Sequence, residues 1–368
     1  MKVIIAAAGT AGHINPGLSI ANKIKEEKSD SEIIFIGTSR GLENNLVPRA
    51  GYELRTIDAY GLDFKRPIKL LKTIKGFYEA KKIIKELKPD VVIGTGGYIC
   101  GAVITMANKL KIPTVLHESN AFPGKAVKML SKKTDCIMVG FKEAKERLPN
   151  AKKVVVTGNP TKIKDLNLSK DKKEKIIKDL GLSAKKPILL VFGGSQGAKA
   201  INDSVIKIIK ENKNKDYQII WAPGPVQYDK IKEELEQCNI NIENVKNTKI
   251  YPYIYNMEEI MNISDLFICR AGAMTINEVS IVGKPAIFIP LPNVSQNHQE
   301  HNARVLEKIG AAKIILNQDL EKIDLNKYVE EIIFNKELLT KMGENAKQVA
   351  NTDVLEKIYE EINKAILH

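Results

Sequence analysis

The chain has 368 residues, 43% apolar and 27% charged; it reads as a soluble globular protein, long enough for two domains of ordinary size. No run approaches the roughly 18 to 20 apolar residues of a membrane helix, and the opening MKVIIAAAGTAGH enters a glycine turn where a signal peptide would continue into a longer apolar region and cleavage site. The formal net charge of +13 points to an anionic partner, whether nucleic acid, membrane or small molecule. Without a zinc finger, an RNP-type motif or basic and aromatic residues interleaved, no nucleic-acid partner is expected.

Short apolar runs at residues 3–7, 33–36, 91–93, 114–116, 136–139 and 154–157 alternate with amphipathic stretches. Such runs predict buried parallel strands joined by helical crossovers. A lysine-rich stretch, 161–187, reads as a linker with one short helix. The pattern then restarts with strands at 188–192, 218–221, 249–251, 266–269 and 286–289. The prediction is α/β, with two doubly wound Rossmann-like domains in tandem: residues 1–160 with a returning C-terminal helix, 352–368, and residues 161–351. Cys100, Cys136, Cys238 and Cys269 form no C-x-x-C pair and are read as buried thiols in a reducing compartment.

Three glycine turns follow predicted strands: Gly9-Thr10-Ala11-Gly12-His13, Gly94-Thr95-Gly96-Gly97-Tyr98 and Gly193-Gly194-Ser195-Gln196-Gly197-Ala198. Glycine lets a ligand approach backbone N–H groups at a helix N-terminus, which favours phosphate. The first turn lacks the G-x-G-x-x-G spacing, and the second strand ends Gly37-Thr38 with no acidic residue for a ribose, which argues against NAD. Lys199 lacks Walker spacing, which argues against ATP chemistry. No D-x-D or His/Cys cluster calls for a metal, and no cofactor is expected.

Five histidines are present, and His13 stands out because it closes a turn at a helix N-terminus, where a neutral imidazole suits a general base. Against fifty lysines there are seven arginines, and Arg270 directly follows an apolar strand, a position for anion recognition or for a structural pairing. Glu278 lies on the helix after that strand and suits two vicinal ribose hydroxyls. From Lys65 to Lys88 there are nine Lys/Arg against two Glu. Apolar Ile68, Leu71, Ile74, Phe77 and Ile84 recur there at helical spacing among Lys69, Lys72 and Lys75, readable as a core face or as a membrane-facing helix.

GTAGH followed by NPGLSIA, then GTGGYICG, HESNA, GNP, GGSQGA, CRAGAMTINE and NHQEHNA occur in this order. Together they closely resemble the MurG family of bacterial cell-wall glycosyltransferases, over nearly the whole chain. The resemblance implies a GT-B fold, two Rossmann-like domains facing across a cleft. It also implies inverting transfer of GlcNAc from UDP-GlcNAc to the C4 hydroxyl of MurNAc in undecaprenyl-diphospho-MurNAc-pentapeptide, converting lipid I to lipid II. The first domain would bind acceptor and membrane, the second UDP-GlcNAc.

Carried over by the resemblance, the donor residues are Ser195, Ile254, Ala273, Met274, Thr275, Ile276, Asn277, Glu278, Gln299 and Lys162, with Thr10, Ala11, Gly12 and Asn120 reaching from the first domain. Arg270 lies toward the phosphates, and Glu278 and Arg270 join His13 as the catalytic candidates. Gly9, His13, Asn15, Gly96, Gly97 and Tyr98 would face the acceptor. The enzyme would be peripheral on the cytoplasmic face of an anionic membrane, possible cell-wall synthesis proteins beside it. Three features depart from the family pattern: Ala8 and Ala11 replace glycines of the first turn, Lys162 replaces an arginine, and the loop 292–296 diverges. Another GT-B lipid glycosyltransferase, or a non-catalytic nucleotide-sugar-binding membrane recruiter, is the alternative.

Overall fold

The computed structural model describes residues 1–60, 67–161, 163, 165–194, 197–351 and 353–367, with side chains of the helix Pro67–Leu87 described from residue 73 onward. Lys162, Ser195 and the side chains of Ile68, Lys69, Leu71 and Lys72 therefore lie outside the described residues. The chain divides into two compact units, Met1–Lys162 with Asn351–His368, and Ile163–Ala350.

The first unit holds β1 (Lys2–Ala7), β2 (Glu32–Gly37), β3 (Glu53–Thr56), β4 (Val91–Gly96), β5 (Thr114–Glu118), β6 (Cys136–Val139) and β7 (Val154–Val156). They form one parallel sheet in the order β3-β2-β1-β4-β5-β6-β7. Alternation along β1 sends Ile4 and Ala6 into one core and Val3, Ile5 and Ala7 into the other, so both faces are covered. The helix Val354–Leu367 packs against the helix Ala11–Glu27 and buries Val354, Ile358 and Ile362 in the second of these cores. Its Glu356 pairs with Lys23, and its Glu361 with Lys153 and Lys364.

The second unit holds β8 (Ile188–Phe192), β9 (Gln218–Ala222), β10 (Thr248–Ile250), β11 (Leu266–Cys269), β12 (Ala286–Phe288) and β13 (Ala312–Ile314), parallel in the order β10-β9-β8-β11-β12-β13. Its core is rich in isoleucine, with Trp221 and Tyr217 fully buried.

Two strands go beyond the apolar runs. In β3 the sequence ELRT is largely exposed, because an edge strand with one neighbour needs no continuous apolar run. The other, β13, is only three residues of mixed burial at the opposite edge of its sheet. The reading of four buried thiols is corrected: Cys100, Cys136 and Cys269 are buried on or beside central strands, but Cys238, just past the helix Pro225–Glu236, is exposed.

Candidate functional site

Each sheet has one switch point, where chain order reverses beside the first strand: β1/β4 in the first unit and β8/β11 in the second. Ligands of open α/β sheets bind beyond the carboxyl ends of strands at such points. The motif-bearing turns sit there, GTAGH after β1, GTGGY at the end of β4, GGSQGA after β8 and CRAGA after β11.

In the first unit, Thr10 caps the helix Ala11–Glu27 with backbone alone, and no side chain caps its first turn. Gly17 lets this helix sit directly on the sheet, since an added Cβ would lie 3.1 to 3.2 Å from Thr95, Ile5 and Phe35. The Thr95 hydroxyl donates to the His13 carbonyl at 2.8 Å. The half-buried imidazole of His13 lies over Gly96, where an added Cβ would come within 2.3 Å of Cδ2. His13 Nδ1 lies 3.2 Å from the Ala8 carbonyl. The Thr10 hydroxyl lies farther from Nδ1, at 3.5 Å; since a carbonyl only accepts, the shorter Ala8 contact calls for the proton on Nδ1, which makes Nε2 the basic nitrogen of the neutral ring. Thr10, Gly12 and Asn15 are exposed around the turn, and Tyr98 is exposed across from it.

At the end of β5, HESNA is tied to GNP. His117 Nε2 donates to the Gly158 carbonyl at 3.1 Å, and Asn159 Nδ2 to the Ser119 carbonyl at 2.9 Å. Asn120 is held by Glu118, whose Oε1 accepts from its backbone N–H at 2.9 Å and from its Nδ2 at 3.1 Å.

In the second unit, the turn after β8 requires glycine. Gly194 and Gly197 have φ +83° and +73°, and a Cβ on Gly197 would stand 2.0 Å from the Pro223 carbonyl oxygen. The helix Lys199–Lys210 follows, and among the described residues its N-cap, Ala198, supplies no side-chain cap, a polarity suited to a diphosphate.

After β11, two side chains of NHQEHN brace the Arg270 turn. Gln299 Oε1 accepts from Ala271 N at 3.2 Å and Leu291 N at 2.9 Å, and buried Asn302 donates to the Ala271 carbonyl at 3.2 Å. With its oxygen taken, Gln299 keeps its Nε2 donor for a ligand. On the helix Ala273–Val282, Met274, Thr275 and Glu278 are half-buried, while Ala273, Ile276 and Asn277 are buried. Ile254 is buried, so only its backbone is suited to face a base.

Arg270 is the largest departure from a simple phosphate-binding picture. Its Nη1 donates to the carbonyls of Ile289 and Pro290 at 2.9 and 3.2 Å and to Asn317 Oδ1 at 2.8 Å, stitching the ends of β11 and β12 to the turn Asn317–Lys322. Burial pushes its guanidinium down from the usual arginine value, and among the described residues its buried Nε has no hydrogen-bond partner. A cation held among carbonyls through Nη1 both braces the strand ends and keeps positive charge beside them.

On the helix Pro67–Leu87, Ile74 is 59% exposed, but Phe77 packs partly into the core. Tyr78, four residues beyond Ile74 and missed by the apolar count, is 72% exposed on the same face. Lys75 pairs with Glu79 at 3.4 Å. A cavity of about 550 Å³ lined by Lys111, Lys132, Lys133, Lys152, Lys153 and Lys364 opens at the amino ends of β5 and β6, away from the switch-point turns.

Residues 3–139 match the glycosyltransferase family 28 N-terminal domain, and residues 188–358 its C-terminal domain. A curated relative from Acetivibrio thermocellus is 45% identical, covering 98% of this chain and 97% of its own. One from Ruminiclostridium cellulolyticum is 44% identical over 100% of both chains. Both are named UDP-N-acetylglucosamine–N-acetylmuramyl-(pentapeptide) pyrophosphoryl-undecaprenol N-acetylglucosamine transferase. The crystal structure of Acinetobacter baumannii MurG superposes with a TM-score of 0.79 at 28% identity, covering 99% of each chain. This chain belongs to the MurG family of glycosyltransferases. Membership accounts for the GT-B fold, here a seven-stranded and a six-stranded Rossmann-like sheet. It also sets aside lipid glycosyltransferases of other families. Among the described residues no helix is long and apolar enough to cross a membrane.

Proposed function

We propose that this enzyme transfers N-acetylglucosamine from UDP-GlcNAc to the C4 hydroxyl of MurNAc in undecaprenyl-diphospho-MurNAc-pentapeptide, forming lipid II. The observation that carries the proposal is full-length similarity to relatives of that name, with motif-bearing glycine turns at both switch points. The 161–351 domain takes the donor: the uncapped helix after GGSQGA receives the diphosphate, Glu278 the ribose hydroxyls, Ile254 backbone the uracil, and Gln299 Nε2 a GlcNAc hydroxyl. Ser195 and Lys162 are assigned to the same donor on the resemblance alone.

The 1–160 domain, with its returning helix, takes the acceptor at the GTAGH and GTGGY turns. His13 Nε2 accepts the C4 hydroxyl proton as that oxygen bonds to the anomeric carbon. The bond from that carbon to the UDP oxygen breaks with its electron pair going to UDP, and the anomeric centre inverts. Helix N-terminal dipoles and the retained charge of Arg270 stabilise the leaving diphosphate, and UDP-GlcNAc is a substrate. The helix Pro67–Leu87, with exposed Ile74 and Tyr78 among lysines, rests on the anionic cytoplasmic face of the membrane.

Radiolabelled UDP-GlcNAc with a lipid I analogue tests the reaction. His13→Ala is expected to lose turnover and keep UDP binding, and Glu278→Ala to lose UDP affinity; full turnover by His13→Ala removes the base role. Sedimentation with anionic vesicles tests the membrane face. Binding should weaken when Lys69, Lys72 and Lys75 become Glu, and unchanged binding sinks that assignment.

A further inference from the structure

Glu43 looks like an ordinary helix glutamate in the sequence, yet its residue is 0% exposed. Its Oε1 accepts from the Thr38 backbone N–H at 2.9 Å and the Thr38 hydroxyl at 2.7 Å, and its Oε2 accepts from the Gly9 N–H at 2.9 Å. No Lys, Arg or His pairs with it among the described residues. The loop 38–42 closes over it, and Gly41 is required there, since an added Cβ would lie 2.0 Å from Oε2. Burial by itself pushes this carboxyl up, but the Gly9 and Thr38 hydrogen bonds outweigh it and hold the group below the usual glutamate value.

The Gly9 N–H and the Ala8 carbonyl belong to one peptide group. Its N–H points to Glu43, and its C=O accepts from His13 Nδ1–H. Gly9 has φ +95°, an added Cβ there would meet nothing within 4 Å, and its own carbonyl accepts a long bond, 3.5 Å, from the Leu42 N–H of the same loop. The carboxylate thus holds the peptide plane that holds the imidazole. Consecutive hydrogen bonds polarise one another, so negative charge at Glu43 strengthens the Ala8 carbonyl as an acceptor.

We propose that Glu43 is a positioning residue acting on His13 through the Ala8–Gly9 peptide, a carboxylate–peptide–histidine relay that fixes the imidazole tautomer and supports its protonated form during transfer. A carboxylate bonded directly to a catalytic histidine has the same two effects. One consequence is that the Gly9 N–H is already committed to an anion, so the acceptor diphosphate does not dock on that amide. Three titratable groups of the neighbouring segments are engaged elsewhere. Arg40 pairs with Asp58, Ala59 and Tyr98, Cys100 is buried with its thiol pushed up to about 12, and Glu118 binds Asn120 and Gly124.

The proposal rests on the reading of His13 as base, and its test separates the two. Glu43→Gln sets an NH₂ group against an N–H whichever way the amide turns, and removes the charge. Its kcat should fall about 10- to 100-fold with UDP affinity unchanged. The acid limb of its pH profile should move to lower pH by on the order of 0.5 unit, because the imidazolium loses a supporting charge. Thr38→Ala removes a donor from the other carboxylate oxygen and should leave that limb in place. An unshifted limb in Glu43→Gln, or an equal shift in Thr38→Ala, overturns the relay.

A direct reading comes from ¹⁵N-histidine NMR of the wild type, with the His13 signals assigned by their loss in His13→Ala. The neutral ring should be protonated at Nδ1, and the opposite tautomer overturns the relay even if Glu43→Gln does not fold. Full turnover by His13→Ala sinks the base reading and with it the relay's part in transfer, while the tautomer is judged by the NMR signal.

Discussion

His117 offers a quantitative test of how HESNA and GNP are held together. The ring is 0% exposed, its Nε2–H donates to the Gly158 carbonyl at 3.1 Å, and Nδ1 lies 3.4 Å from the Ser119 hydroxyl. Burial pushes the imidazole from 6.5 down to about 4, with the Gly158 bond offsetting part of that. Because the folded value lies below the unfolded one, the unfolded state binds more protons between pH 6.5 and 4, so stability falls as pH falls through this window. The difference corresponds to roughly 3 kcal/mol, fully present above pH 6.5 and lost by about pH 4. His117→Gln keeps an N–H donor for Gly158 and removes the titration. It should be less stable than wild type at pH 7, and the gap should close by roughly 3 kcal/mol at pH 4. Urea unfolding followed by circular dichroism reads both units, while Trp221, the single tryptophan, reports the second unit alone. If wild type and variant lose stability in parallel from pH 7 to 4 in the transition that Trp221 does not report, the burial argument is wrong.

Two glycines with positive φ should differ in cost. Gly197→Ala meets the Pro223 carbonyl and should destabilise the second unit by at least about 2 kcal/mol, read as a lower Tm of Trp221 fluorescence. Gly9→Ala has open space around its Cβ and should cost only the backbone strain, about 1 to 2 kcal/mol in the first unit; equal costs would show that contact with Pro223 does not matter. Arg270→Met removes three hydrogen bonds at the ends of β11 and β12. It should lower second-unit stability by about 1 to 3 kcal/mol and weaken UDP binding, whereas an unchanged Trp221 transition would leave Arg270 with a ligand role only.

Nine interior strands were legible as apolar runs because strands with a neighbour on each side and cover on both faces have no polar side to interrupt them. Of the four edge strands, β7 and β10 were still legible, whereas β3 and β13 were not, since an edge strand needs no continuous burial and ELRT and AKI alternate polar with apolar residues. The three turns were legible for a related reason: positions such as Gly197, with φ +73° and backbone 2.0 Å from an added Cβ, admit no other residue without strain. Phe77 and Tyr78 were not separable by spacing, because a half-amphipathic helix leaves its phase to the sheet it packs on.

Sequence by itself determined that this chain forms two parallel sheets with motif-bearing turns at their carboxyl ends, and the family motifs named the chemistry. Only the tertiary structure decided what each polar group is bonded to. Glu43 and Arg270 have the composition of solvated or ligand-bound residues, but loop 38–42 seals one over the Gly9 amide and the ends of β11 and β12 draw the other onto carbonyls. The reason is physical: burial of apolar residues is additive and periodic along the chain, whereas a hydrogen bond needs a partner at about 3 Å, and that partner can lie tens of residues away.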